Sequence, residues 1–235
     1  MQSEDMRRVP DPCGDSPFMG IYESLSAAYG PRRWWPVTPA GGVEPEYTGG
    51  PSTRIQMLEV AVGAVLTQNT SWKNASKAIA NLNRAGLLNP EGLTGIDTKS
   101  LAGLIRPSGY FNQKAERIKV LAAYLSGNGR PDRDGLLELE GIGPETADSI
   151  MLYGYGELHF VVDAYTRRIF GRIGLIGGGE AYEAVQLVFE SNIPPEVHVY
   201  QEYHALIVEH GKRSCTRSPD CGECVIGALC GRCGL

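Results

Sequence analysis

The sequence predicts an all-α protein. Apolar residues recur at helical spacing along most of the chain, the only strand-like run is four residues long, and no repeat or low-complexity tract interrupts the pattern.

Taken in order, the first 17 residues are polar and carry Pro10, Pro12 and Pro17, the composition of a loose tail. Residues 18–29 (FMGIYESLSAAY) have helical periodicity. RRWWPVTPAGGVEPEYTGGPS follows, too rich in Pro and Gly to be anything but loop, and its 36–53 portion suggests no role. Helical spacing then returns at 54–66, 72–85, 98–106, 111–126, 133–139, 144–154, 164–174, 180–190 and 197–210. HFVV at 159–162 is apolar and partly β-branched, but too short and isolated to found a sheet.

At 235 residues the chain can build one large domain or two small ones. Apolar content of 42% and charged content of 21% exclude wholesale disorder. No apolar run reaches the roughly 20 residues of a membrane helix, and MQSEDMRRVPDPCGDS has no apolar signal core, which points to the cytoplasm. The net charge of −5 does not advertise a nucleic-acid partner, although a local basic face can sit on an acidic protein. Six cysteines in such a chain indicate metal or catalysis before disulfides.

The stretch ELEGIGPETADSI (138–150) places Gly141-Ile142-Gly143 between two predicted helices, with Pro144 suited to the first position of the second. Glycine permits positive φ and close backbone approach, and amides at a helix start can hold a phosphate. A plain tight turn explains the glycines equally well. The fuller strings decide between them. EGIGPETADSI followed by VVDAY, together with LTQNTSWKNASKAIANL (66–82), SGYFNQKAERI (109–118) and EHGKRSC (209–215), resembles the helix-hairpin-helix (HhH-GPD) DNA glycosylases of the endonuclease III type, over roughly residues 54–230. TQNTSWKN, RPSGYFNQKA and GIGPETADSI look closest to the 3-methyladenine branch.

The resemblance implies a two-lobed all-α fold with a C-terminal iron–sulfur loop. Residues 50–157 would form a six-helix barrel with the hairpin at about 133–154, and residues 18–49 plus 158–235 a second lobe carrying the cluster loop (215–230). It implies an enzyme that flips a damaged base out of double-stranded DNA, because a stacked base hides its sugar bond, and that works as a monomer on chromosomal DNA. Gly141, Ile142 and Gly143 would grip a phosphate, and the same hairpin could hold a monovalent cation.

Asp163 follows FVV and reads as a helix N-cap. Capping amides favour an ionised carboxylate, and a breaking glycosidic bond builds positive charge on the sugar, so cap and catalyst are compatible. The resemblance makes Asp163 the catalytic carboxylate. Glu145 stands where bifunctional relatives carry the lysine that forms a Schiff base; glutamate cannot form an imine, which predicts a glycosylase without lyase activity. Gln68 corresponds to the wedge that fills the space of the flipped base. Trp72, with Tyr110 and Tyr165, would wall the base pocket, where an aromatic face suits an electron-poor alkylated purine; Trp34 and Trp35 could equally be core.

Cys215, Cys221, Cys224 and Cys230 are expected to hold a 4Fe–4S cluster, although the spacing C-x5-C-x2-C-x5-C is one residue short of the family's first gap. Zinc is the alternative, since Cys233 makes a second CxxC pair with Cys230; Cys13 is a bystander. Lys114 and Arg117, Arg167 and Arg168, and Lys212, Arg213 and Arg217 could supply phosphate contacts. A mismatch or oxidised-pyrimidine glycosylase on the same scaffold, and a non-catalytic DNA-binding protein, are the rival readings.

Overall fold

The computed structural model describes residues 16–127 and 129–232, so Cys13, most of the expected 1–17 tail and Cys233 lie outside the described residues. Among the described residues eleven α-helices follow one another: α1 (Pro17–Tyr29), α2 (Arg54–Thr67), α3 (Trp72–Arg84), α4 (Pro90–Gly95), α5 (Thr98–Leu104), α6 (Phe111–Leu125), α7 (Arg133–Leu137), α8 (Pro144–Ser149), α9 (Ala164–Ile173), α10 (Tyr182–Glu190) and α11 (Val197–Arg213). Short 3₁₀ turns lie at Arg106–Ser108 and Gly227–Leu229, and a π turn (Ile150–Gly154) continues α8.

α2 is the central pillar. Leu58 through Leu66 are all buried, and α3, α6, α8 and the π turn pack around it. α4 and α5 close this side by packing on α6. On the other side α1 and α9 pack against α11, and α11 also meets the π turn. One aromatic cluster ties the second group together: Phe18, Phe160, Phe170, Phe189 and Tyr203 form a chain of ring pairs with centroids 4.2–6.1 Å apart, arrangements that add to their area burial.

Most helices match the sequence prediction. α4 was not expected: six residues carry little periodicity, but Asn89 caps it by accepting from Gly92 N (2.7 Å) and Pro90 occupies its first turn. The expected 98–106 helix stops at Leu104 because Pro107 cannot continue it, and the chain tightens into the 3₁₀ turn. HFVV forms neither helix nor strand. Its backbone is satisfied by side chains instead: Phe160 N donates to Glu190 Oε1 (2.9 Å), Val162 N to Tyr182 Oη (3.2 Å), and Phe160 O accepts from Gln186 Nε2 (2.9 Å). The single β-bridge among the described residues joins Val37 to Glu46, within the 36–53 loop.

A buried ion pair anchors α8. Arg133 Nε lies 2.5 Å from Asp148 Oδ1, and Gln186 Nε2 donates to Oδ2 at 2.8 Å; Asp148 is completely buried. Removing Arg133 strands the fully buried Asp148 charge, so Arg133→Ala is expected to cost about 3–5 kcal/mol. Differential scanning calorimetry should show the unfolding midpoint falling by roughly 6–20 °C.

Candidate active site

The hairpin joins α7 to α8. Gly141 has φ +80°, a left-handed conformation that favours glycine, and the Arg117 side chain packs over the space a Cβ would take. Gly143 has an ordinary φ, and a Cβ added there would meet nothing within 4 Å, so the fold itself does not require glycine at this position. Ile142 is buried at 5% exposure and pins the turn, but its N–H is used by Leu139 O (3.1 Å), which leaves it unable to hold a phosphate. The amides of Gly141 and Gly143 have no hydrogen-bond partner among the described residues.

α8, which the hairpin leads into, lines a cavity of about 450 Å³ through Glu145, Thr146 and Ser149. Asp163, Glu145, Gln68, Trp72 and Tyr165 all line it, so these residues, distant in sequence, meet at one place. Asp163 caps α9: Oδ1 accepts from Thr166 N (2.7 Å) and Thr166 Oγ1 (2.9 Å). Its Oδ2 faces His204 Nε2 at 3.7 Å, beyond hydrogen-bond range but within Coulombic reach. Burial pushes the Asp163 carboxyl up, yet His204 and the two Thr166 donors together outweigh it and hold the group below the usual carboxylate range. Glu145 opens onto the same cavity. Desolvation in the cleft raises its carboxyl, the Asp163 charge adds to the rise, and His204 opposes it. The two carboxyls are thus driven apart, one held ionised and the other towards its neutral form.

Gln68 ends α2 at the cavity rim, with its amide tied to the hairpin. Nε2 donates to Gly141 O (3.1 Å) and Thr146 Oγ1 (3.0 Å), and Oε1 accepts from Arg117 Nη1 (2.8 Å).

Aromatic rings make the opposite wall. Trp34 lies 4.9 Å from Trp72 edge-to-face and 6.1 Å from Tyr47, and Trp35 lies 5.6 Å from Trp72; all four line the cavity. The 36–53 loop, unexplained by sequence, delivers Tyr47. It is fastened by buried Glu59, which accepts from Thr38 N (2.9 Å) and Thr38 Oγ1 (2.7 Å), and by Asn83 Nδ2, which donates to Val43 O (3.0 Å). The Trp34–Trp35 segment is pinned to α11, because Glu202 accepts from the amides of Arg32 (2.6 Å) and Arg33 (2.7 Å). Tyr47, Asn69, His204 and Lys212 also line the cavity and escaped sequence reasoning as pocket residues, since none stands in a pattern that marks it.

Other expectations change. Tyr110 is 66% exposed and does not line the cavity; it starts α6 in a left-handed conformation instead. Lys114 is buried, not a phosphate ligand: its ammonium donates to Leu66 O (2.9 Å) and Ser108 O (2.7 Å), and burial with the Arg117 charge lowers it to about 8. Arg168 donates to Cys215 O and Gly211 O (both 2.9 Å), and Arg167 donates to Glu180 O (2.9 Å); Arg213 pairs with Glu209. Arg117 serves the hairpin. Of the predicted cation clusters, only the side chains of Lys212, exposed at the cavity, and exposed Arg217 make no hydrogen bond or ion pair among the described residues.

Cys215, Cys221, Cys224 and Cys230 line a second, small cavity beneath α9 and α11 with Ile169, Ile173 and Ile226. Arg172 Nη1 donates to Cys215 Sγ at 3.3 Å. Burial raises the Cys224 thiol, and the neighbouring three cysteines add to the rise.

The frame is all-helical, and α8, the capped carboxylate and the aromatic rings meet at one cavity. Residues 62–195 match the HhH-GPD superfamily of base excision DNA repair proteins, and the chain belongs to that family. It is 40% identical, over 89% of its length and 94% of the relative's, to a Methanocaldococcus jannaschii protein provisionally described as a DNA repair glycosylase. Among solved structures, it is similar to the Helicobacter pylori 3-methyladenine DNA glycosylase bound to 1,N6-ethenoadenine, with a TM-score of 0.68, 26% identity, and coverage of 84% of this chain and 98% of that one. A non-covalent endonuclease III–DNA complex shares the fold at a TM-score of 0.75 and 19% identity, covering 93% and 96% of the two chains.

Proposed function

We propose that the protein is a monofunctional DNA glycosylase that receives a damaged base flipped from double-stranded DNA and hydrolyses its N-glycosidic bond, leaving an abasic site. The observation that carries this reading is Asp163, fixed as the cap of α9 in an aromatic-walled cavity, with Glu145 in place of an amine. As the C1′–N bond lengthens, positive charge grows on the sugar and the fixed carboxylate stabilises it. Water supplies the new C1′–O bond. The Gly141 and Gly143 amides take a phosphate, and Gln68 fills the vacated stack once released from the hairpin.

The substrate best suited to the site is an alkylated purine. Its ring is cationic, so it gains cation–π attraction to Trp34, Trp72 and Tyr47, and it leaves as a neutral base without needing protonation. Release of 3-methyladenine from methylated duplex DNA is the expected result. Activity confined to thymine or uracil opposite guanine, or to thymine glycol, would replace this substrate assignment.

For the cysteines, a 4Fe–4S cluster is the reading the donor set supports. Four sulfurs share one apolar-lined cavity, with a guanidinium beside one of them to offset thiolate charge. Among the described residues no three His, Cys, Asp or Glu side chains converge closely enough to ligate one metal ion. Cys215, Cys221, Cys224 and Cys230 would hold such a cluster, which would tie together the loop that follows α11. Cys221→Ser is expected to lose iron and acid-labile sulfide together, with the visible absorption; zinc in stoichiometric amount in anaerobically prepared wild type would contradict the cluster.

A further inference from the structure

His204 is a buried, titratable group that the proposed reaction does not use. It is 8% exposed, and its Nε2 has no hydrogen-bond partner while facing Asp163 Oδ2 at 3.7 Å. Its other ring nitrogen, Nδ1, lies 2.7 Å from Tyr153 Oη, which also lies 3.0 Å from Gln201 O. Tyr153 is itself buried and sits on the π turn, a rare element that often marks functional positions.

The proton count around this chain is restrictive. A phenol has one hydrogen. If Tyr153 gives it to Gln201 O, its oxygen accepts from Nδ1–H, and a neutral ring would then aim a bare Nε2 lone pair at a carboxylate. Charging the ring removes that repulsion. If instead Tyr153 donates to Nδ1, the neutral ring carries its hydrogen on Nε2. Both favourable arrangements put an Nε2–H opposite Asp163 Oδ2. Oδ1 is already taken by Thr166, so Asp163 would be held at both oxygens.

We propose that His204 is a positioning residue for Asp163: fixed by Tyr153 of the π turn, it presents Nε2–H to Oδ2 and keeps the carboxylate ionised and aimed at the sugar. The inference rests on the glycosylase reading above. It concerns orientation of the carboxylate, and assigns His204 no contact with the DNA.

Two amides separate this role from mere packing. Glutamine at 204 can place its Nε2 donor near the Asp163 side, whereas asparagine keeps a donor near Tyr153 but cannot reach Asp163. Single-turnover release of 3-methyladenine from methylated duplex is expected to fall about 10- to 100-fold in His204→Asn, the worth of a hydrogen bond to a charged group. His204→Gln should recover most of the rate. In an Asp163→Asn background, His204→Asn should cost nothing further, since its target is gone. Equal losses in the two backgrounds, or asparagine outperforming glutamine, would overturn the proposal. Were Asp163→Asn itself fully active, the catalytic assignment of Asp163 would fail, and this proposal with it; absence of base release by the wild type would instead fail the glycosylase reading. A second arm needs no substrate: ¹⁵N NMR of the His204 ring should show Nε2 protonated at neutral pH and perturbed by Asp163→Asn. A bare Nε2 would overturn the proposal on its own.

Discussion

Asp163→Asn is expected to lower the single-turnover rate of base release by about 10²–10⁴-fold, the range for removing one placed catalytic or electrostatic group. Affinity for an abasic-site duplex should change little, because the hairpin and aromatic wall remain. The substitution is nearly isosteric and Asn can still cap α9, so the fold should survive it. What disappears is the negative charge that meets the developing cation. The folded carboxyl lies below its ordinary value of about 3.9, so its stabilising contribution is present above that value and is lost as pH falls through the folded pKa. A rate unchanged in Asp163→Asn would remove the catalytic assignment.

Borohydride should trap no covalent adduct between the wild-type protein and damaged duplex DNA, whereas Glu145→Lys should produce one. Position 145 opens on the same cavity as Asp163, so an amine there would reach the sugar carbon and form an imine that borohydride reduces. The expected change is from none to a gel-visible band. The lysine would also replace a carboxyl that Asp163 and the cleft push towards neutrality by a cation attracted to Asp163. An adduct formed by wild type would contradict the monofunctional reading.

Residues with strong local patterns were legible in the sequence. The helices follow from periodicity, the Asp163 cap from its place after FVV, and the hairpin from glycines flanking a plug residue. What sequence missed depends on contacts made across the fold. Tyr47 reaches the cavity because Glu59 and Asn83, far along the chain, fasten its loop. Lys114 reads as a surface cation, yet two carbonyls freed at the end of α2 and at the 3₁₀ turn draw its ammonium inward. Tyr110 sits within a matching string, but its left-handed backbone turns it to solvent. His204 lies in a helix whose apolar spacing explains it as core; only its distance to Asp163 gives it another meaning.

The most direct test incubates the protein with duplexes carrying single lesions, identifies the freed base by mass spectrometry, and scores strand breaks before and after hot alkali. The account predicts a free alkylated purine and an intact strand that breaks only after alkali. Strand scission without alkali, or no free base from any lesion duplex, would contradict it.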